Sequence, residues 1–215
     1  MRNTVKCTGW LAMACAALCL AQSGCVKLMT TVAYFVKGTT DDAEFEGFKD
    51  KRVAIVCRPL VEMKYGAGTV PNDLATRVGQ LLKQNGKRVK VVKQSEVSNW
   101  TDENPNEELY AIGQGVSADL VLGIDLEDFS LYQGQTLYQG KSQVRLSVCD
   151  VNDDGEIVWE KPMRQVVWPA QGGRPAQEEP VQQFQREYVE VLAVEIGNHF
   201  YGHDHFNRNS ELDPD

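Results

Sequence analysis

The sequence predicts an α/β domain: a mixed sheet with three leading parallel strands in β-α-β-α-β order, an antiparallel hairpin appended, and a long C-terminal helix. Three observations predict it. Two runs of strand length, Lys51–Arg58 and Ala118–Leu126, carry apolar residues at consecutive positions, as strands covered on both faces do. Segments of helical period lie between them, the alternation that builds parallel sheets with right-handed crossovers. After residue 140 the pattern turns to strict alternation around a turn, the mark of an antiparallel pair with one wet face.

In chain order, Arg52-Val-Ala-Ile-Val56 forms the core of the first strand. Pro71-Asn72-Asp73 then opens a helix in which Leu74, Val78, Leu81 and Leu82 share one face, and Gly86 stops it. Arg88–Val92 alternates enough to be an edge strand. Asn104-Pro105-Asn106 caps a shorter helix carrying Leu109, Ile112 and Val116, and Ala118–Leu126 is the third buried strand. In Ser142–Cys149 the residues Val144, Leu146 and Val148 face one way and Gln143, Arg145, Ser147 and Cys149 the other. Asn152-Asp-Asp-Gly155 supplies the turn, and Glu156–Glu160 returns as the partner strand. Pro162 marks a bulge or an edge before Met163–Val167. A Pro- and Gly-rich loop, residues 169–180, leads to the last helix, whose stripe Phe184, Tyr188, Leu192, Ile196 and Phe200 is spaced for a core face. From Gly202 the composition turns polar, so residues 202–215 read as a tail.

What precedes the domain has a different character. Arg2 and Lys6 stand before the compact apolar run Trp10–Ala21. About 12–14 apolar residues fall short of the roughly 20 that span a bilayer, so residues 1–24 read as a signal peptide. Ala21-Gln-Ser-Gly24-Cys25 resembles the lipobox of bacterial lipoproteins, which implies cleavage between Gly24 and Cys25 and acylation of Cys25. Gln22 stands where that pattern usually has Leu, and the alternatives are plain secretion after ordinary cleavage and an uncleaved anchor. Two or three acyl chains anchor firmly where one is marginal, at about 0.8 kcal/mol per buried methylene. Val26 stands where the resemblance would put Asp for retention in the inner membrane, so the anchor is expected in the outer membrane, facing the periplasm. Residues 25–50 read as the tether and residues 51–201 as the domain.

Among 215 residues, 22 Lys+Arg stand against 30 Asp+Glu, a net charge of −8 that becomes −10 once Arg2 and Lys6 leave with the signal. An acidic chain with no long basic run is unsuited to nucleic acid. Of the six cysteines, Cys7, Cys15 and Cys19 leave with the signal and Cys25 is taken by lipid. Cys57 and Cys149 remain as two separate thiols, with a disulfide between them as the alternative open to an oxidising compartment.

The element order, with Arg52–Val56, Ala118–Gly123 and the Gly140–Trp159 segment ending in Val148-Cys-Asp-Val-Asn-Asp-Asp-Gly-Glu-Ile-Val-Trp159, resembles the periplasmic lipoprotein domains related to the curli-secretion lipoprotein, the penicillin-binding-protein activator lipoproteins and the amino-terminal domain of TolB. The resemblance implies a non-enzymatic envelope domain that works by docking a protein partner, with the membrane reached through the N-terminal lipid and no cofactor. The sheet edge or the Gln133–Gly140 loop is the expected contact surface. Self-association into a homo-oligomer stays open. A membrane pore would need amphipathic strands of about 9–11 residues, and Phe129–Tyr138 alternates poorly and contains Gly134.

Chemistry-bearing patterns are few. His199, His203 and His205, all the histidines of the chain, cluster where the last helix meets the tail, and a metal- or small-ligand-binding role for them is the alternative function. Asp150–Gly155 matches the start of a calcium loop, but Lys161 occupies the position of the bidentate Glu. Tyr65-Gly-Ala-Gly68 lacks the third glycine and the Lys of phosphate loops. There is no Gly-x-Ser-x-Gly, so no catalytic residue is assigned.

Overall fold

The computed structural model describes residues 40–60 and 67–204. Strand β1 (Arg52–Pro59) lies between β2 (Lys90–Val91) and β3 (Leu120–Gln133) and runs parallel to both, with Val53 opposite Leu120 and Pro59 opposite Leu126. Strand β4 (Leu137–Asp150) runs antiparallel to β3, and its outer edge is paired in turn by β5 (Ile157–Pro162), β6 (Val166–Trp168) and β7 (Arg174–Pro175). The result is a seven-stranded mixed sheet whose main order is β2-β1-β3-β4-β5. Among the described residues four α-helices accompany it: α1 (Val70–Asn85), α2 (Gln94–Glu103), α3 (Leu109–Gly115) and α4 (Val181–Gly197). This is the predicted class, with three leading parallel strands, an antiparallel pair across the Asn152–Gly155 turn and a long C-terminal helix.

The two faces of the sheet are covered unequally. Alternate residues Val53 and Ile55 of β1, Leu120, Leu122, Ile124 and Leu126 of β3, and Val144, Leu146 and Val148 of β4 point to one face, where α1 brings Leu74, Val78 and Leu82 and α4 brings Leu192 and Ile196. Each such side chain is worth about 1.5–3 kcal/mol when withdrawn from water. Arg77 of α1 and Glu190 of α4 close the seam between the helices with a paired guanidinium–carboxylate contact. The other face holds a smaller cluster in which Ala54, Val56 and Val121 meet Val97 of α2 and Leu109 and Ile112 of α3. Helix α1 begins and ends where its signals lie: Pro71 sits in the first turn and Gly86 donates its N–H to the Leu82 carbonyl at 2.9 Å.

Three elements depart from expectation. The strand expected to stop at Leu126 runs on to Gln133, and Gln133–Gly140 is a hairpin rather than a loop, turning at Gly134 with φ +68°. Register shifts after Leu126 and after Ser130 each move the side chains to the opposite face, which is why Phe129–Tyr138 alternates poorly although it is strand. Helix α2 was not expected, because Val97 is its one buried residue and Lys93 at its N-cap makes no side-chain cap. Residues 41–50, read above as the end of the tether, pack on the domain, with Phe48 buried against Phe45 and Phe200.

The stripe of α4 is buried throughout but serves two clusters. Leu192 and Ile196 belong to the main core, whereas Phe184 and Tyr188 pack with Leu131, Tyr138 and Trp168 beneath the β3–β4 arm. The Tyr188 hydroxyl lies 2.7 Å from Ser142 Oγ and donates to the Val166 carbonyl at 3.0 Å. Its ring lies against Gly140, where an added Cβ would stand 2.3 Å away, so only glycine lets the strand approach. Phe200, the last residue of the stripe, is buried beyond the helix end.

Candidate functional site

Beyond the reach of the short helices α2 and α3, strands β3, β4 and β5 present a bare face. Asp125 and Arg145 are cross-strand partners, and the register places Glu160 of β5 opposite Ser147. Arg58 of β1 grips Asp125 with two bonds, Nε to Oδ1 at 2.7 Å and Nη2 to Oδ2 at 2.9 Å. Arg145 donates to Glu127 at 2.8 Å and to Glu160 at 3.3 Å. These hydrogen bonds to the two carboxylates hold the Arg145 pKa above its ordinary value. A trough of about 390 Å³ runs over this ladder, walled by Tyr110 of α3 and by Ile157. Its floor includes Ser147 beside Gly123, where a Cβ would collide with Leu109.

The trough ends at β5, and β5 is the edge of the sheet. Ile157 and Val158 are 47% and 42% exposed there, two of the three large apolar side chains that stand open among the described residues. A bulge between Val148 and Cys149 and the terminal Pro162 blunt the ends of this edge, and no strand among the described residues pairs with its outer side. Exposed apolar side chains beside a charge ladder and a free edge can hold another chain. Both arginines of the ladder are spent on carboxylates.

Of the predicted site residues that are described, Cys149 lines the trough and the histidines lie elsewhere. Cys25, Gly24, the signal peptide and His205 fall outside the described residues. His199 follows the end of α4 and packs on the opposite face, beside Trp159 and Phe200. Its Nδ1 lies 3.1 Å from Glu44 Oε1, its carbonyl accepts the N–H groups of Glu44 and Phe45 at 2.9 and 3.1 Å, and Glu44 also binds Lys161 of β5. Burial lowers the His199 pKa, and the neighbouring Glu44 carboxylate only partly restores it. Burial pushes the Glu44 carboxyl up, but the bonds from Lys161 and His199 outweigh it and leave it below its ordinary value. Glu44 thereby clamps the chain that enters the domain to both α4 and β5. His203 Nε2 stands 4.0 Å from Asp41. Among the described residues no three His, Cys, Asp or Glu side chains are grouped as metal ligands.

Cys57 and Cys149 are free thiols. Cys57 packs toward the α1/α4 face and Cys149 toward α3, so the sheet itself separates them. Burial raises both thiol pKa values, which keeps them from the reactive thiolate form. The Asp150–Gly155 segment is a hairpin turn in which the Asp150 carboxylate accepts the Asn152 N–H at 2.8 Å and Gly155 takes φ +83° beneath Tyr110.

Neither a family model nor a curated protein matches the sequence. Solved structures similar to this chain include a point-variant PelC dodecamer from Paraburkholderia phytofirmans, at 12% identity over 74% of this chain and 94% of that one, with a TM-score of 0.45. Lipoprotein GNA1162 from Neisseria meningitidis is similar at 11% identity over 68% of this chain and 98% of that one, with a TM-score of 0.42. The C-terminal domain of LpoB from Salmonella enterica is similar at 15% identity over 55% and 83%, with a TM-score of 0.38. Structures similar to this chain thus include bacterial lipoproteins. No helix among the described residues is long and apolar enough to cross a membrane.

Proposed function

We propose that this protein is a lipid-anchored adaptor of the bacterial cell envelope that docks a protein partner and catalyses no reaction itself. Cys25 carries the acyl chains, in the outer membrane and facing the periplasm. Residues 26–40 separate that anchor from the domain, a length of chain that can span at most roughly 50 Å at about 3.3–3.6 Å per residue. The domain begins at Asp41, and Glu44 ties its first segment to Lys161 and His199. The partner docks along β5 and the bare face of β3 and β4. One observation carries this reading: Ile157 and Val158 stand exposed, beside the Arg145 ladder, on a strand edge that no other strand among the described residues pairs. An added strand would take its affinity from main-chain bonds and its specificity from the side chains of the ladder.

A photo-crosslinking residue at position 158, compared with one at Lys83 on the exposed face of α1, tests this in intact cells. One dominant envelope protein captured from position 158 and not from 83 is expected. Equal capture from both positions, or none, would sink the docking face. The anchor is tested separately by the intact mass of membrane-extracted protein: residues 25–215 plus acyl chains are expected, and both the lipid and the membrane association should vanish in Cys25→Ala.

A further inference from the structure

A second concavity lies outside the carboxyl end of β1. From β1 the chain crosses by α1 to β2 on one side and returns by α2 and α3 to β3 on the other, so the two crossovers leave the sheet on opposite faces and part at that strand end. In open α/β sheets such a switch point is where ligands bind. The opening here is a cleft of about 460 Å³, within the range of small-ligand sites.

Its wall explains α2, a helix with almost no apolar face. Gln94, Val97, Ser98 and Thr101 fall at i, i+3, i+4 and i+7 and all line the cleft. Apart from the buried Val97, and Asp102 at the C-terminal end, the residues that α2 contributes to the cleft are uncharged and polar. Asn72 of α1 and Asn106 before α3 complete the ring. Ser98 donates its hydroxyl to Asn72 Oδ1 at 3.0 Å, and Thr101 donates to the Ser98 carbonyl at 3.0 Å. The Asn72 Nδ2 group, both ends of the Gln94 and Asn106 amides, and the hydroxyl lone pairs of Ser98 and Thr101 keep their capacity among the described residues.

The same lining selects against other chemistries. Arg58 is the one cation on the cleft wall among the described residues, and its fork is closed on Asp125. Asp102 and Glu107 add negative charge, which disfavours phosphates and carboxylates. A neutral ligand rich in hydroxyls matches amides and hydroxyls that both donate and accept, and the carboxylates accept further hydroxyl protons. Pro59 and Leu60, the latter 61% exposed, offer an apolar strip for the C–H face of a pyranose ring. We infer that the cleft at the end of β1 is a binding site for a neutral carbohydrate, held by the polar stripe of α2 together with Asn72 and Asn106.

Calorimetric titration of the full-length chain in detergent tests this with three probes: a neutral N-acetylglucosamine tetramer, glucose 6-phosphate, and a neutral tetrapeptide. The comparison protein is the double variant Gln94→Ala/Thr101→Val, checked for an unchanged melting temperature. Saturable binding of the tetrasaccharide, weakened at least tenfold in the double variant and not matched by the phosphate, is expected. Absence of saturable sugar binding, equal binding by the variant, tighter binding of the phosphate, or capture of the peptide in place of the sugar would each overturn the assignment. None of these outcomes depends on Cys25 or on the β5 edge, so the adaptor reading stands or falls separately.

Discussion

The two faces of one sheet differ in what covers them. On the α1/α4 face, two helices of 16 and 17 residues lie across the strands, and Leu122, Ile124, Leu146 and Leu192 are fully buried. On the other face, α2 and α3 have 10 and 7 residues and stop short, leaving Arg145 and Glu160 open to water and Glu127 and Asp125 partly so. The difference teaches that helix length sets coverage: the long helices bury most of the apolar side chains, and the short ones leave part of the other face open.

Four variants can break or sharpen that contrast. On the covered face, Leu192→Ala should cost about 2–5 kcal/mol in urea unfolding, because a fully buried side chain leaves a cavity. A loss under 1 kcal/mol would mean the long helices do not carry the fold. Next comes Gly140→Ala, which places a methyl group into the Tyr188 ring and should cost about 1–3 kcal/mol in the same measurement.

The clamp at Glu44 should show as acid sensitivity. The folded His199 pKa lies below the ordinary value, so the unfolded chain takes up the proton first, and stability present at neutral pH is lost as pH falls below about 6.5. The Glu44 pKa is also lowered, so its contribution, present above about 4.5, is lost on further acidification. Lys161 and Glu195 also act on His199 and are present in both proteins to be compared. The urea midpoint should therefore drop between pH 7 and 5, and drop less in His199→Gln; identical pH profiles would contradict this. The smallest effect is expected on the open face, where Arg145→Ala removes two half-exposed ion pairs and should cost at most about 1 kcal/mol. Its consequence should appear instead as lost crosslinking from position 158. Unfolding of this variant would erase the contrast between the faces.

The covered face was the more legible in sequence, and for a physical reason. A strand buried on both sides has to be apolar at consecutive positions, and a long helix has to repeat its apolar stripe; Val53–Val56, Leu120–Leu122 and Phe184–Ile196 do both. The open face was harder to read. Asp125, Glu127, Arg145 and Glu160 look like unrelated surface charges until the register sets them side by side, and the bulges after Leu126 and Ser130 hide the hairpin arm by shifting its alternation. Helix α2 left no trace because it buries one residue, and its polar stripe gains meaning only from the cleft it faces.

The sequence by itself determined the order of the main strands and helices and the acidic balance of the chain, because hydrophobic period and charge are local properties of neighbouring residues. The tertiary structure alone decided that Cys57 and Cys149 lie on opposite sides of the sheet, that Glu44 is clamped between His199 and Lys161, and that Ile157 and Val158 stand open on an edge. These depend on strand register and helix length acting between residues far apart in the chain, and no local pattern records the partner a side chain meets across the fold.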